Sequence, residues 1–140
     1  MTIVKVTTST QLEEAFYIRK KVFVEEQSVP LDDEFDQHDQ YCEHILAYHK
    51  SVPAGTGRIR FLNTTAKLER ICVLDSYRTI GCGRKIILSL EKVAAEKSMT
   101  TIKLHGQVQA RGFYEKLGYK VEGDEFVEDG IPHLLMTKNV

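Results

Sequence analysis

The chain of 140 residues is long enough for one domain with a single hydrophobic core. Its hydrophobic fraction of 42% and charged fraction of 28% are ordinary for a globular protein, and its net charge of -1 argues against nucleic acid or membrane partners. No apolar run reaches the roughly 18 residues of a membrane span, and the N-terminus lacks the apolar segment of a signal peptide. We therefore expect one cytoplasmic domain over residues 1–140.

The first half of the chain predicts a strand, a helix and a three-stranded meander. Ile3 to Val6 alternates as a strand does, and Thr10 and Glu13 then fit a capping box that would open a helix. This helix would end before Pro30, and residues 25–39 would form a loop. Three strands separated by turn residues should follow, at 44–49, 56–62 and 68–74.

The second half predicts two further helices and a closing hairpin. Apolar residues between 86 and 94 recur at helical spacing, and residues 101–104 form a fifth strand. A second amphipathic helix would run from 108 to 117 and stop at Gly118. Strands near 119–121 and 133–137 would close the chain. This order indicates an α/β (mixed α+β) domain built on one central sheet.

Cysteine and histidine spacing gives no sign of a metal centre. Cys42, Cys72 and Cys82 form no CxxC pair and are odd in number, so neither a zinc ligand pair nor a disulfide framework is expected. The five histidines show no HExxH pattern. We therefore expect no metal.

The stretch YRTIGCGRKI places flexible residues and positive charges at the start of a helix. Arg78, Arg84 and Lys85 lie here, and no acidic residue occurs from Ser76 to Leu90. Backbone N–H groups at such a turn suit a phosphorylated ligand, whereas the alternative is a tight turn with solvated charges. A P-loop is disfavoured because no Gly-Lys pair exists. The dinucleotide fingerprint is disfavoured too, because its third small residue is replaced by Ile.

The pattern that remains, R-x-x-G-x-G at Arg78, Gly81 and Gly83, resembles the acyl-CoA pyrophosphate motif of the GNAT superfamily of N-acetyltransferases. The segment ARGFYEKLGYK is similar to the second hallmark of that family, and IRKKVFVEEQSVP resembles its bacterial ElaA-like branch. The resemblance covers nearly the whole chain. It implies a mostly antiparallel sheet of six to seven strands, flanked by helices, in which the parallel fourth and fifth strands splay apart.

The resemblance also implies cofactor contacts. The pyrophosphate would be held by Arg78 and the backbone that follows, namely Thr79, Ile80, Gly81, Cys82, Gly83 and Arg84. Ile71, Cys72 and Val73 would pair with the pantetheine arm like a strand, and the Val73 N–H would polarise the thioester carbonyl. Gln107 stands where the family often has Asn, and its longer amide would reach a cofactor carbonyl.

For the chemistry, Tyr114 is the family's candidate acid for the leaving thiolate. Spacing alone favours a core role, because Ala110, Phe113, Tyr114 and Leu117 form a helical stripe. The general base is left open between Glu69, His105 and an ordered water chain. The acidic residues of 25–39 would either attract a cationic amine or form a solvated loop.

Together these features predict transfer of an acetyl group from acetyl-CoA to a primary amine by direct attack in a ternary complex. The acceptor would be a small molecule or a peptide, and the family allows a homodimer. Two alternatives stay open: a catalytically silent acyl-CoA-binding or regulatory module with the same fold, and an unrelated nucleotide-binding protein.

Overall fold

The computed structural model describes residues 1–140 as a seven-stranded sheet with helices on both faces. The strands are β1 (Thr2–Lys5), β2 (Glu43–His49), β3 (Val52–Leu62), β4 (Thr65–Val73), β5 (Thr101–Gln107), β6 (Lys120–Glu128) and β7 (Ile131–Asn139). The α-helices are α1 (Ser9–Arg19), α2 (Leu31–Glu34), α3 (Cys82–Glu96) and α4 (Arg111–Lys116). No helix combines the length and the apolar character that crossing a bilayer requires.

The sheet order is β1-β2-β3-β4-β5-β7-β6, and every neighbouring pair is antiparallel except β4 and β5. A parallel pair needs a long crossover, and α3 supplies it. The apolar side of α3 buries Ile86, Ile87 and Leu90 against one face of the sheet. The predicted mixed α/β architecture with a parallel fourth and fifth strand is confirmed.

The opposite face of the sheet is covered by the first helical region. Ala15, Ile18 and Val22 pack there against Leu46 of β2 and Cys72 of β4. The helix begins two residues earlier than predicted. Thr8, not Thr10, is the N-cap, and it forms a capping box with Gln11, whose side-chain oxygen accepts from the Thr8 N–H.

The predicted loop at 25–39 is largely helical. A π-helical segment, Lys20–Glu26, continues α1, and two short turns of helix follow at Leu31–Glu34 and Gln37–Gln40. The predicted loop was wrong because these turns are held by ion pairs to Arg19 of α1 and Arg58 of β3, which local composition does not reveal.

Candidate active site

The parallel strands β4 and β5 pair only at their first four residues and then separate. Thr65 to Leu68 is in register with Thr101 to Leu104, and no pairing follows although both strands continue. In β4 a bulge intervenes, where Arg70 takes a left-handed backbone conformation at φ +56°. A cavity of about 390 Å³ lies between the separating strands. Leu68 and Leu104, the last paired residues, line the point where the strands diverge, which we call the vertex.

Six of the predicted site residues line this cavity: Ile71, Cys72, Val73, Arg78, Gln107 and Tyr114. The others do not line it: Thr79, Ile80, Gly81, Cys82, Gly83 and Arg84. They occupy the loop that begins at Arg78 and the first turn of α3. The Cys82 side chain is fully buried in the core, so only its backbone could face a ligand.

The start of α3 is uncapped. Gly81 is the N-cap residue with φ +79°, which glycine adopts readily, and no side chain accepts from the first turn. The Lys85 N–H donates to the Gly81 carbonyl at 3.2 Å, so the three N–H groups before it lie in the part of a helix without internal partners. No acidic residue stands in this turn. The turn can therefore donate to an anion from outside the chain.

The end of β4 turns polar backbone groups towards the cavity. The Leu74 N–H donates to Ala54 of β3 at 2.8 Å. Because successive N–H groups of a strand point to opposite edges, the Val73 N–H points towards the separation from β5. Consistent with this, the Val73 carbonyl accepts from Arg78 Nε at 2.9 Å. Cys72 is paired with Thr56 and turns its own N–H to β3.

Tyr114 is both a core residue and a cavity residue. It is 9% exposed, and its ring lies beside Gly106 of β5, where an added Cβ would stand 3.0 Å from Tyr114 Cε2. Edge-to-face contacts with Phe113 and Tyr119 fix the ring. Burial raises the pKa of the Tyr114 hydroxyl to about 12. The group therefore stays protonated at neutral pH and is able to donate.

The end of the π-helical segment bridges the mouth of the cavity. Both carboxylate oxygens of Glu26 accept from the Arg78 guanidinium at 2.7 Å. The next residue, Gln27, accepts from Gln107 Nε2 at 2.9 Å. One segment therefore contacts the loop after β4 and the end of β5. No sequence pattern marked Glu26 or Gln27 as a partner of the predicted cofactor residues.

The acidic residues of 25–39 are mostly neutralised within the protein. Arg19 and Arg58 are each 1% exposed, and Asp39 accepts from both at 2.7 Å. Asp36 accepts from Arg58 at 2.8 Å through both oxygens. Although burial opposes ionisation, hydrogen bonds from Arg58 hold the pKa of Asp36 below its usual range. These carboxylates do not present free charge to an incoming amine, so the predicted attraction is not supported for them.

Glu69 and His105 are the first residues of β4 and β5 beyond the paired region, but their surroundings differ. Glu69 accepts from Arg58 and Arg60 at 2.9 and 2.8 Å, and Lys67 lies 3.0 Å away. Burial alone would raise the pKa of Glu69, but hydrogen bonds from Arg60 and Lys67 outweigh it and lower the pKa to about 2. A carboxylate with so low a pKa is a poor base.

One group of side chains contains residue types that bind metals, but its carboxylate and thiol are not available as ligands. Ligand atoms of Asp39, Cys42 and His44 lie within 4.8 Å of one another. However, the Asp39 carboxylate already faces two arginines. Burial also raises the pKa of the Cys42 thiol to about 11, which disfavours the thiolate that a metal needs. The expectation of no metal stays a prediction.

Comparisons with known proteins agree with this geometry. A family model described as an acetyltransferase (GNAT) domain matches residues 6–140. A Bacillus subtilis protein named as an acetyltransferase is 55% identical, with 99% of this chain and 96% of that protein covered. The B. subtilis N-acetyltransferase YjcF is 47% identical over 92% of this chain and 93% of its own.

Solved structures share the fold. A Lactobacillus plantarum N-acetyltransferase structure superposes with TM-score 0.91 at 31% identity, covering 99% of this chain and 97% of its own. Escherichia coli ElaA superposes with TM-score 0.87 at 22% identity, covering 98% of each chain. The PaiA N-acetyltransferase of Thermoplasma acidophilum, solved in complex with coenzyme A, gives 0.76 at 20% identity over the full length of both. This chain belongs to the GNAT acetyltransferase family.

Proposed function

We propose that this acetyltransferase moves an acetyl group from acetyl-CoA to a primary amine by direct attack within a ternary complex. The observation that carries the proposal is the separation of β4 from β5, with the Val73 N–H and the Tyr114 ring at one cavity. The structure of PaiA with coenzyme A, which shares the fold, supports coenzyme A as the carrier.

Different residues bind different parts of coenzyme A. The uncapped turn from Gly81 to Arg84 donates backbone N–H groups to the pyrophosphate, while the exposed Arg84 side chain adds positive charge. Ile71 and Val73 offer backbone groups to the pantetheine arm as a neighbouring strand would. Gln107 lines the cavity at the end of β5 and offers its amide to the same ligand.

Different residues also act at different steps of the acetyl transfer. The amine nitrogen forms a bond to the thioester carbonyl carbon, and the negative charge that develops on oxygen is stabilised by the Val73 N–H. When the carbon–sulfur bond breaks, the electron pair leaves with sulfur, and Tyr114 donates its proton to that thiolate. Burial keeps Tyr114 in the protonated form that this step requires.

The first test is calorimetry with CoA, acetyl-CoA and ATP, compared between wild type and Gly83→Leu. A side chain at Gly83 would first meet Phe113 at an ordinary contact distance of 3.4 Å, so the fold should tolerate it. It would nevertheless obstruct the approach of a phosphate to the backbone. We expect at least a 100-fold loss of CoA affinity, while Gly112→Leu, at an open helical position, should keep it. Equal affinity of the wild type for ATP would contradict the proposal.

The second test is release of CoA thiol from acetyl-CoA in the presence of spermidine, kanamycin and a lysine peptide. Release that depends on an amine supports acetyl transfer, and mass spectrometry identifies the acetylated acceptor. Tight binding of acetyl-CoA without release above background with any amine would instead indicate a silent acyl-CoA-binding module.

A further inference from the structure

The side chain of His105 lines the cavity from the face of the sheet opposite to Tyr114. Its neighbour Gly106 faces the Tyr114 ring, and successive residues of a strand point to opposite faces of the sheet. His105 therefore projects from the other face, and it lines the cavity at the first position beyond the vertex. The strand β5 thus separates the His105 imidazole from the Tyr114 hydroxyl.

The His105 ring is held by the β6–β7 hairpin. Its Nδ1 lies 3.2 Å from Glu128 Oε1, and its ring packs edge-on against Phe126 at 4.9 Å. An ionised carboxylate only accepts hydrogen bonds, so Nδ1 carries the hydrogen and Nε2 keeps its lone pair. This is the tautomer that a base needs. The same carboxylate lies 3.8 Å from Nε2 of His133, whose Nδ1 donates to the Ile131 carbonyl.

The competing carboxylate cannot do the same work. Glu69 stands across the vertex from His105, but Arg58, Arg60 and Lys67 occupy its oxygens. His105 has one carboxylate partner and one free nitrogen, and it is 28% exposed. Imidazole is also the side chain that most often serves as a general base near neutral pH.

Resting on the proposed function, we propose that His105 Nε2 is the general base and that Glu128 is its positioning residue. The N–H bond of the acceptor ammonium breaks, and its proton passes to Nε2. The lone pair left on the amine attacks the thioester carbon, and the nitrogen then loses its second proton, which returns through solvent to Tyr114 after that residue has protonated sulfur. Glu128 balances the charge of the imidazolium, which then releases the proton to water.

Other charged groups set the pH dependence around this base. On the same face of the sheet these are Lys67 and Glu69 of β4, Lys103 of β5, Glu128 of β6 and His133 of β7. Asp129, in the hairpin turn, also lines the cavity. Because the base must be neutral to accept a proton, kcat/KM should fall in acid.

The test is the pH profile of kcat/KM between pH 5 and 9, with whichever amine of the panel supports thiol release. For His105→Gln we expect kcat/KM at pH 7.5 to fall about 100-fold or more, with CoA affinity unchanged. The decline of kcat/KM at low pH, which is the acid limb of the profile, should disappear. For Glu128→Gln we expect a loss of about tenfold with the acid limb kept. That limb should move to lower pH, because the imidazolium loses its counter-charge.

His38→Gln serves as the matched control, since His38 lies outside the cavity, and it should match wild type. A His105→Gln enzyme that loses less than threefold and keeps its acid limb overturns the inference. If the wild type releases no thiol with any amine, the proposed function itself fails. In that case, NMR of the imidazole nitrogens still tests the His105–Glu128 contact, because it shows which nitrogen carries the hydrogen. A neutral His105 with its hydrogen on Nε2 would contradict that contact.

Discussion

Two clusters of charged residues lie on the same face of the sheet and differ in how completely they are satisfied. In the sealed cluster, Arg58 is 1% exposed and contacts three carboxylates, those of Asp36, Asp39 and Glu69. In the open cluster, His105 is 28% exposed and Glu128 is 45% exposed. A saturated cluster holds the fold together but has no site left for a substrate, whereas the open cluster retains a free nitrogen beside a cavity.

The sealed cluster also explains how the first helical region is fixed over β3 and β4. Arg19 on α1 donates to Glu34 and Asp39, while Phe16 and Phe35 lie against its guanidinium at 5.1 and 4.8 Å. The arginines therefore join segments that are distant in sequence. Glu26 and Gln27, which lie between Arg19 and its partner Glu34 in the sequence, contact Arg78 and Gln107 at the mouth of the cavity.

The largest effect should come from breaking the sealed cluster. Arg58→Met leaves three buried or half-buried carboxylates without their shared partner. We expect a loss of about 3–5 kcal/mol in the free energy of unfolding, measured by urea denaturation at pH 7. Arg111→Met, at an exposed ion pair in α4, should cost less than about 1 kcal/mol. A similar loss for the two variants would show that the sealed cluster is not structural.

Acid should remove the stability that the ionised carboxylates of the sealed cluster contribute. The folded-state pKa of Glu69 is about 2 against an ordinary 4.5, so its ionised form stabilises the fold above pH 4.5. That contribution, on the order of 3 kcal/mol, should disappear as the pH falls from 4.5 towards 2. Urea denaturation at several pH values should show a shallower decline for Glu69→Gln than for wild type or Glu125→Gln. Equal slopes would be evidence against the low pKa.

On the opposite face, Tyr114→Phe separates chemistry from packing. The ring stays in place beside Gly106, but the proton donor is lost. We expect kcat to fall about 100-fold while the Kd for CoA changes less than threefold. The control is Tyr119→Phe, whose hydroxyl donates to Glu91 at 2.8 Å away from the cavity, and it should leave kcat unchanged. An unchanged kcat in Tyr114→Phe would remove the acid role.

The smallest effect concerns the ion pair at the cavity mouth. Glu26→Gln releases Arg78 from its carboxylate partner, so the guanidinium becomes available to an anionic ligand. Because both side chains are more than a third exposed, we expect less than about 1 kcal/mol of lost stability and a few-fold gain in CoA affinity. Glu25→Gln, one residue earlier, should leave affinity unchanged. Weaker CoA binding in Glu26→Gln would mean that Glu26 orients Arg78 productively.

Local patterns in the sequence anticipated the centre of the fold and one side of the site. Neighbouring residues alone determine the strand, glycine turn and helix around Gly81, so the sequence predicted them. The same holds for the apolar helical stripe that carries Tyr114. The family resemblance then supplied the separation of β4 and β5, which no spacing in the chain encodes.

The sealed and open clusters could not be predicted because their partners are far apart in sequence. Asp39 and Arg58 are brought together only by the sheet register. The His105–Glu128 contact was hidden for another reason. The edge strand β6 has both sides largely exposed, so it lacks apolar alternation, and the predicted strand near 119–121 stopped short of Glu128, which ends β6.

The hairpin of β6 and β7 includes an edge strand of the sheet, and although Lys138 near its end contacts Glu91 of α3, its tip at residues 128–131 lies at the other end of these strands. Its tip can gain, lose or exchange residues without disturbing the strands that would bind coenzyme A. We therefore expect related enzymes to diversify in this hairpin when they acquire new acceptors. Grafting hairpins between relatives is accordingly a direct route to altered selectivity with an unchanged donor.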